Sequence, residues 1–356
     1  MEADSSFTLD DTYVESHAHQ TSEISKAYFK TIKDLYFEGM PDGYTNHSMT
    51  RMHGSQYLVN TDYDYDHIYW VDIDSLSAKT YELNIPRIVN FFIEGDYMLI
   101  VRDGYSMTIT RGQQEIGQIE FATEHETCKN GNFIIGRYGQ QVGKIVYNLD
   151  RFGDLYQIEW QDIKDGKYCK TLVKSNVERF YVDKGLGLAT VNVDGTVSLA
   201  SRTEVDLRQK FDAKTKWNII TCIAKCWIVC GDRDNQAIIA CISRKGDIRS
   251  KLKLKLASNG FKNPKGMKYG GIFGIRQAFV RGMEGILLVI ERDGCCHLIS
   301  VMYGRMSKLQ SVDSIVPSVV KDNQYRVVMS VTATGRKGEF IAGGWNWSKL
   351  ISLKLK

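Results

Sequence analysis

The chain has 356 residues, 43% of them hydrophobic, with 31 Gly, 19 Tyr, only four Pro and a formal net charge of +4. That length allows one large domain or two, and the plentiful Gly and Tyr favour short strands and tight turns over helices. No apolar run approaches the ~20 residues that a membrane-spanning helix needs, and a polar start with no arginine before Arg51 reads as neither a secretory nor a transit leader.

In chain order, residues 1–25 come first and hold six acids with no Lys or Arg. The expected organisation is a flexible acidic tail over 1–22 and a single domain over 23–356. Residues 30–37 read as a strand, although Ile24, Ala27, Tyr28, Ile32, Leu35 and Tyr36 also fit a helical stripe, so 24–37 is open between the two. Beyond it a short phrase recurs: apolar strand, turn with Asp before Gly or Asn, second strand. It is clearest from Leu188 to Leu199 around Asp194-Gly195, and it returns at Asp103-Gly104, Asp234-Asn235 and Asp293-Gly294. Such turns tolerate positive φ and join antiparallel strands.

Laid end to end, the phrase gives seven units over about 46–84, 88–121, 124–163, 169–211, 217–256, 275–312 and 327–353. The third is drawn with strands at 133–136, 144–148 and 155–160. The seventh has only three strands, at 327–331, 339–344 and 349–353. Four-stranded units repeated in this way predict an all-β, seven-bladed β-propeller of antiparallel blades, closed by the N-terminal strand in the last blade so that no edge is left open.

Residues 188–199 resemble the second and third strands of a WD repeat with their Asp turn, and 327–353 resemble its first three strands. The likeness covers about 30–356 as architecture. The family's dipeptides are absent: there is no Gly-His, and no Trp-Asp follows a third strand, Trp70-Val71-Asp72 coming nearest. The resemblance implies a protein-interaction platform, without catalysis and without a cofactor.

Several constellations invite a chemical reading. Cys222, Cys226, Cys230 and Cys241 have a zinc-like density, but Cys222 falls on one strand and Cys226 and Cys230 on the next, amid Ile, Val and Trp, which suits buried thiols and a reducing cytoplasmic or nuclear setting. Cys295-Cys296-His297 places adjacent residues on opposite faces of a strand, a poor arrangement for a nucleophile and its base. Asp62, Asp64 and Asp66 lack the Gly and the distal Glu of a calcium loop. Asn46-His47-Ser48 and Asn346-Trp347-Ser348 match the glycosylation acceptor pattern, which has no bearing without a secretory route. No catalytic, metal or phosphate-loop motif is found.

Basic residues carry more information. Residues 244–281 hold eleven Lys and Arg against the single acid Asp247, and Lys251 to Leu256 alternate strictly. As a strand that alternation shows lysines on one side, either discouraging edge pairing or binding an anion. Arg102, Arg233 and Arg292 each precede a turn Asp, and an insertion over 257–274 carries Lys262, Lys265 and Lys268. In a propeller these turns and the connections between blades share one face. These six residues are the expected binding site for an acidic or phosphorylated protein partner. The alternative is a nucleic-acid or anionic-lipid-binding propeller using 244–281; the lipid version lacks the Phe-Arg-Arg-Gly motif.

Overall fold

The structure is a computed structural model that describes residues 27–35, 37–38, 46–53, 55–61, 67–81, 83, 85, 88–102, 106–121, 138–150, 152–201, 203–211, 214–233, 236–256, 261–262, 268–269, 272–280, 283–291, 295–312, 328–333, 339–344 and 347–355. These residues form seven four-stranded antiparallel sheets, plus one two-stranded ladder. The first sheet uses Asn46–His53, Gln56–Thr61, Ile68–Asp72 and Ser77–Tyr81. The second uses Ile88–Glu94, Tyr97–Arg102, Ser106–Arg111 and Gln114–Glu120. The third comprises Tyr138–Val142, Ile145–Leu149, Leu155–Glu159 and Thr171–Lys174. The fourth comprises Val177–Asp183, Gly187–Asn192, Thr196–Leu199 and Glu204–Asp206. In the fifth, Lys216–Ile223, Cys226–Arg233, Gln236–Ile242 and Ile248–Lys255 pair in turn. In the sixth, Ile272–Val280, Met283–Glu291, Cys296–Met302 and Arg305–Val312 do so.

The seventh sheet draws on both ends of the chain. Val328–Ala333, Glu339–Gly344 and Trp347–Leu355 form three strands, and Ala27–Asp34 adds the fourth, antiparallel to the last, with Ala27 opposite Leu355 and Asp34 opposite Lys349. The segment is thus a strand rather than a helix, placed three residues before the expected 30–37. Leu35 and Phe37, which follow it, are buried with Tyr57, Val59 and Val71 of the first sheet and Ile341 and Leu350 of the seventh. Glu38 then hydrogen-bonds through its backbone to Leu76 and Ala78 of the first sheet. One short stretch therefore fastens the seventh sheet to the first.

The core lies between sheets, and the period of two along each strand explains how. In the first sheet Leu58 and Ile68 face the second sheet's Phe91 and Ile100, whereas Tyr57 and Val59 face the other way. Leu99, Val101 and Met107 of the second sheet meet Val146, Ile158 and Trp160 of the third. Leu149 and Leu155 meet Val177 of the fourth. Val191 and Val197 meet Trp217 and Trp227 of the fifth, whose opposite face sends Ile228 and Ile239 against Val289 and Ile299 of the sixth. The outer strands Arg305–Val312 and Ala27–Asp34 lie side by side, so the sixth sheet also neighbours the seventh.

A second repeat is visible only in the pairing. In six sheets the first strand carries a register shift after its first or second paired residue: Asn46/Ser48, Ile88/Asn90, Val177/Arg179, Trp217/Ile219, Ile272/Gly274 and Val328/Ser330. A bulge there tightens the local twist where first strands of neighbouring sheets come together. Aligned on this bulge, Asn192 and Glu291 are equivalent, and so are Ser198 and His297 on the following strand. Both pairs are linked. Asn192 donates to the Ser198 hydroxyl at 3.0 Å, and the His297 Nε2 and Glu291 Oε1 atoms lie 2.6 Å apart with both side chains buried.

The expected boundary between the third and fourth units needs correction. Residues 160–164 turn into a short helix, because Trp160 and Ile163, three apart, both face the core while Asp162 and Lys164 stay outside it. The third sheet then closes with Thr171–Lys174, so it ends at Lys174 rather than 163, and the fourth begins at Val177 rather than 169. The strand expected at 133–136 lies outside the described residues, as do the tail over 1–22, Asp62, Asp64 and Asp66, and the turns at 103–104, 234–235 and 293–294.

The turn at Asp194-Gly195 is described, and it matches its sequence. Gly195 has φ +83°, and the Asp194 carboxylate accepts hydrogen bonds from the Thr196 N–H at 2.9 Å and its hydroxyl at 2.7 Å. Burial pushes the Asp194 carboxyl up, but the Thr196 hydrogen bonds and the charges of Arg208 and Lys174 outweigh it and hold the group below the usual carboxylate range. Gly195→Val should destabilise by about 2 kcal/mol, since a β-branched residue resists positive φ, and Asp194→Ala by about 1 kcal/mol. Urea midpoints test both; unchanged values for the two variants would contradict this turn geometry.

Candidate functional site: a basic cleft between the fourth and fifth sheets

The polypeptide leaves the fourth sheet through a short helix, Leu207–Lys210, whose start is capped by the Asp206 carboxylate accepting from the Gln209 N–H at 2.9 Å. Phe211 ends it and packs edge-on against Trp217, with ring centroids 5.2 Å apart, fixing the path into the fifth sheet. This connection emerges at the same end of the fifth sheet as the paired strand ends Arg233 and Gln236, because consecutive antiparallel strands return to that end at every second step. Between them opens a cleft of about 290 Å³ lined by Lys210, Phe211, Arg233, Gln236, Ile238, Lys251 and Lys253.

Among the described residues the lining has four cationic side chains, one amide and no acid. Lys251 and Lys253 come from the outer strand Ile248–Lys255, where pairing of Lys251 with Ala240 and Lys253 with Ile238 sets both lysines on the face turned toward the fourth sheet. The intervening Leu252 and the following Leu254 turn the other way and join the core with the sixth sheet. The Lys/Leu alternation therefore does two jobs, one for each face. Among the described residues Lys210, Lys251 and Lys253 are exposed and make no ion pair.

Of the six expected site residues, Arg233 lies in this cleft. Arg102 ends the second strand of the second sheet, with the third and fourth sheets between it and the cleft. Arg102 and Arg233 also differ in register. Aligned on the first-strand bulge, Arg102 matches Gly231, so Arg233 follows by two positions. Lys262 and Lys268 pair in the small ladder Phe261–Lys262 with Lys268–Tyr269, on the connection between the fifth and sixth sheets. Arg292 and Lys265 lie outside the described residues. Lys210, Lys251 and Lys253 were not among the six. Only the alternation at 251–256 pointed to two of them.

Other reactive groups have structural placements. Cys222 belongs to the core between the fourth and fifth sheets, Cys230 and Cys241 to that between the fifth and sixth, so the cysteines stand on opposite faces of one sheet. Burial, with Asp183 nearby, pushes the Cys222 thiol up to about 12. The Lys170 ammonium lies over the rings of Phe121 and Tyr156, at 4.7 and 4.4 Å from their centroids, and donates to the Phe121 carbonyl at 3.1 Å. Asp150 is buried beside this group. Burial pushes its carboxyl up to about 6, against hydrogen bonds from the Asp154 and Phe152 N–H groups that pull it down.

Asp150 yields a pH prediction. Its folded pKa is raised, so the stability it contributes is complete below the unfolded value of 3.8 and is lost as pH climbs through about 6. Asp150→Asn keeps the acceptor but cannot ionise. Its stability relative to wild type should therefore rise by about 2 kcal/mol between about pH 4 and 7, read from urea midpoints at each pH; a difference that does not change with pH would contradict the assignment.

Consecutive four-stranded antiparallel sheets that pack face to face are the architecture of a β-propeller. Solved structures bear out the likeness. The N-terminal domain of Nup159 matches with a TM-score of 0.61 and 9% identity, over 92% of this chain and 96% of that one. A match to the mitotic checkpoint complex has a TM-score of 0.59 and 10% identity, over 92% and 95%. The WD40 β-propeller domain of Doa1 gives 0.55 and 11%, over 91% and 97%. A further match, with a TM-score of 0.58 and 10% identity over 92% and 96%, is to an S. cerevisiae structure of Dbp5 bound to Nup159, Gle1, IP6 and ADP. No protein-family model and no curated protein sequence matches the chain. No helix among the described residues is long and apolar enough to cross a membrane.

Proposed function

We propose that the chain is a non-catalytic, seven-bladed propeller, joined into a ring by strand Ala27–Asp34, that serves as a protein-interaction platform in the cytoplasm or nucleus. Its partner is acidic or phosphorylated and engages the end that bears the second-to-third-strand turns and the connections between sheets. The observation that carries this reading is the cleft whose described lining holds four cations and no acid, three of the cations being lysines with no ion pair among the described residues. Unpaired charges concentrated on one rigid surface raise the local concentration of an oppositely charged partner. That structures containing Nup159 with Dbp5, or a checkpoint assembly, share this fold supports a platform role.

The test is affinity capture from cell extract with the wild-type chain and with a variant reversed at Arg102, Arg233, Lys262 and Lys268, followed by calorimetric titration of the recovered partner. An acidic or phosphorylated protein whose affinity falls at least tenfold with the variant is the expected result. The second reading, nucleic-acid binding through 244–281, is favoured by the exposed lysines of Ile248–Lys255. It predicts a gel shift that collapses steeply with salt, and such a shift without protein capture would replace the first reading.

A further inference from the structure

We infer that the cleft between the fourth and fifth sheets takes an acidic, extended peptide segment of a partner protein, with one bulky apolar side chain seated against Phe211 and Ile238. The inference rests on the platform reading and gives it a location and a recognition chemistry. Three features of the cleft select this occupant.

The first is spacing. Lys251 and Lys253 stand two residues apart on one strand, so their Cα atoms are separated by about 7 Å. An extended peptide projects alternate side chains from one face at the same interval, and Asp or Glu at every second position would meet the two ammonium groups in step. Arg233, at the end of the second strand, lies on the same face of the fifth sheet as the two lysines, and Lys210 on the connection from the fourth sheet lines the same cleft, so a chain lying there has four cations within reach. The second is the floor. A bare phosphate or a sugar-phosphate backbone would satisfy the cations and leave the half-buried Phe211 uncovered, whereas a Leu or Phe in the peptide covers it. Phe211 is already held by Trp217, so it loses little freedom when covered. The third is size. At about 290 Å³ the cleft is at the lower limit for small-molecule pockets and has room for one or two side chains rather than a cofactor.

The experiment is fluorescence anisotropy with the full chain and four labelled probes: a short peptide of Asp and Glu with one central Leu, the same peptide with Ala in place of Leu, its phosphoserine counterpart, and a single-stranded oligouridine. The Leu peptide should bind best, with about tenfold weaker binding for the Ala form. Lys251→Glu with Lys253→Glu should weaken the Leu peptide at least tenfold, and the paired alanine variant less, both without lowering the melting temperature, since these side chains are exposed on an outer strand. Equal affinity of wild type and the Glu pair, no preference for Leu over Ala, tighter binding of oligouridine, or no binding of either acidic peptide would each overturn the inference. The two readings fail separately. If a captured partner is insensitive to the reversals at Lys251 and Lys253 yet sensitive to those at Arg102, Lys262 and Lys268, the cleft is not its site and the platform stands; insensitivity to both sets removes both.

Discussion

Deleting residues 1–38 should abolish the cooperative thermal transition, whereas deleting 1–22 should leave the melting temperature where it is. The longer cut removes strand Ala27–Asp34 and with it a whole ladder of backbone pairing to Trp347–Leu355, exposing that strand as an open edge. It also removes Leu35 and Phe37, buried where the seventh sheet meets the first, and the backbone bonds of Glu38 to Leu76 and Ala78. Burial of two such side chains is worth about 3–6 kcal/mol, comparable to the whole margin of about 5–15 kcal/mol that a domain possesses. Circular dichroism melts of the two truncations read the outcome directly, and equal midpoints would show that the strand contributes nothing to holding the sheets together.

His297→Ala should cost about 3–5 kcal/mol, because it leaves the Glu291 carboxylate buried and without the ring that lies 2.6 Å from it. Glu291→Gln, which removes the charge but retains a hydrogen-bonding side chain, should cost less than half as much. A double replacement of the pair by Leu at both positions should recover much of the loss, as replacing both partners of a buried hydrogen-bonded pair by apolar groups costs little. A thermodynamic cycle over these variants measures the coupling, and additive effects would show that the two residues do not act as a pair. Asn192 and Ser198, at the equivalent positions of the fourth sheet, hold a neutral version of the same link. In this chain the buried polar tie between second and third strands is thus built with Glu-His in one sheet and Asn-Ser in another.

Much of the fold was legible because turn chemistry and periodicity are local. Asp194-Gly195 marks its hairpin through one carboxylate and one positive φ, and both are visible in two adjacent letters. The three-stranded last unit called for a fourth strand, and the chain supplies it at Ala27–Asp34. The helix at Trp160–Lys164 was missed because only two of its positions, Trp160 and Ile163, face the core, which is too short a stretch to show a helical period. The Glu291–His297 pair was missed for another reason. The two residues sit on different strands across a turn, and His297 drew notice only for its neighbours Cys295 and Cys296. The cleft is less legible still, since Lys210, Arg233 and Lys251 come from three separate elements and only packing of the fourth sheet on the fifth brings them together. The recurrence of Arg before a turn Asp suggested equivalent positions, yet the bulge register sets Arg102 and Arg233 at different heights.

The most direct test of the account is hydrogen exchange on the full chain, alone and with the partner recovered by capture. Binding at the cleft predicts slower exchange in residues 207–211, 233–238 and 248–255 upon complex formation, diminished when Lys251 and Lys253 are reversed to Glu. Protection confined to other sheets, or a complex that forms with no protection at the connection end of the fourth and fifth sheets, would contradict it.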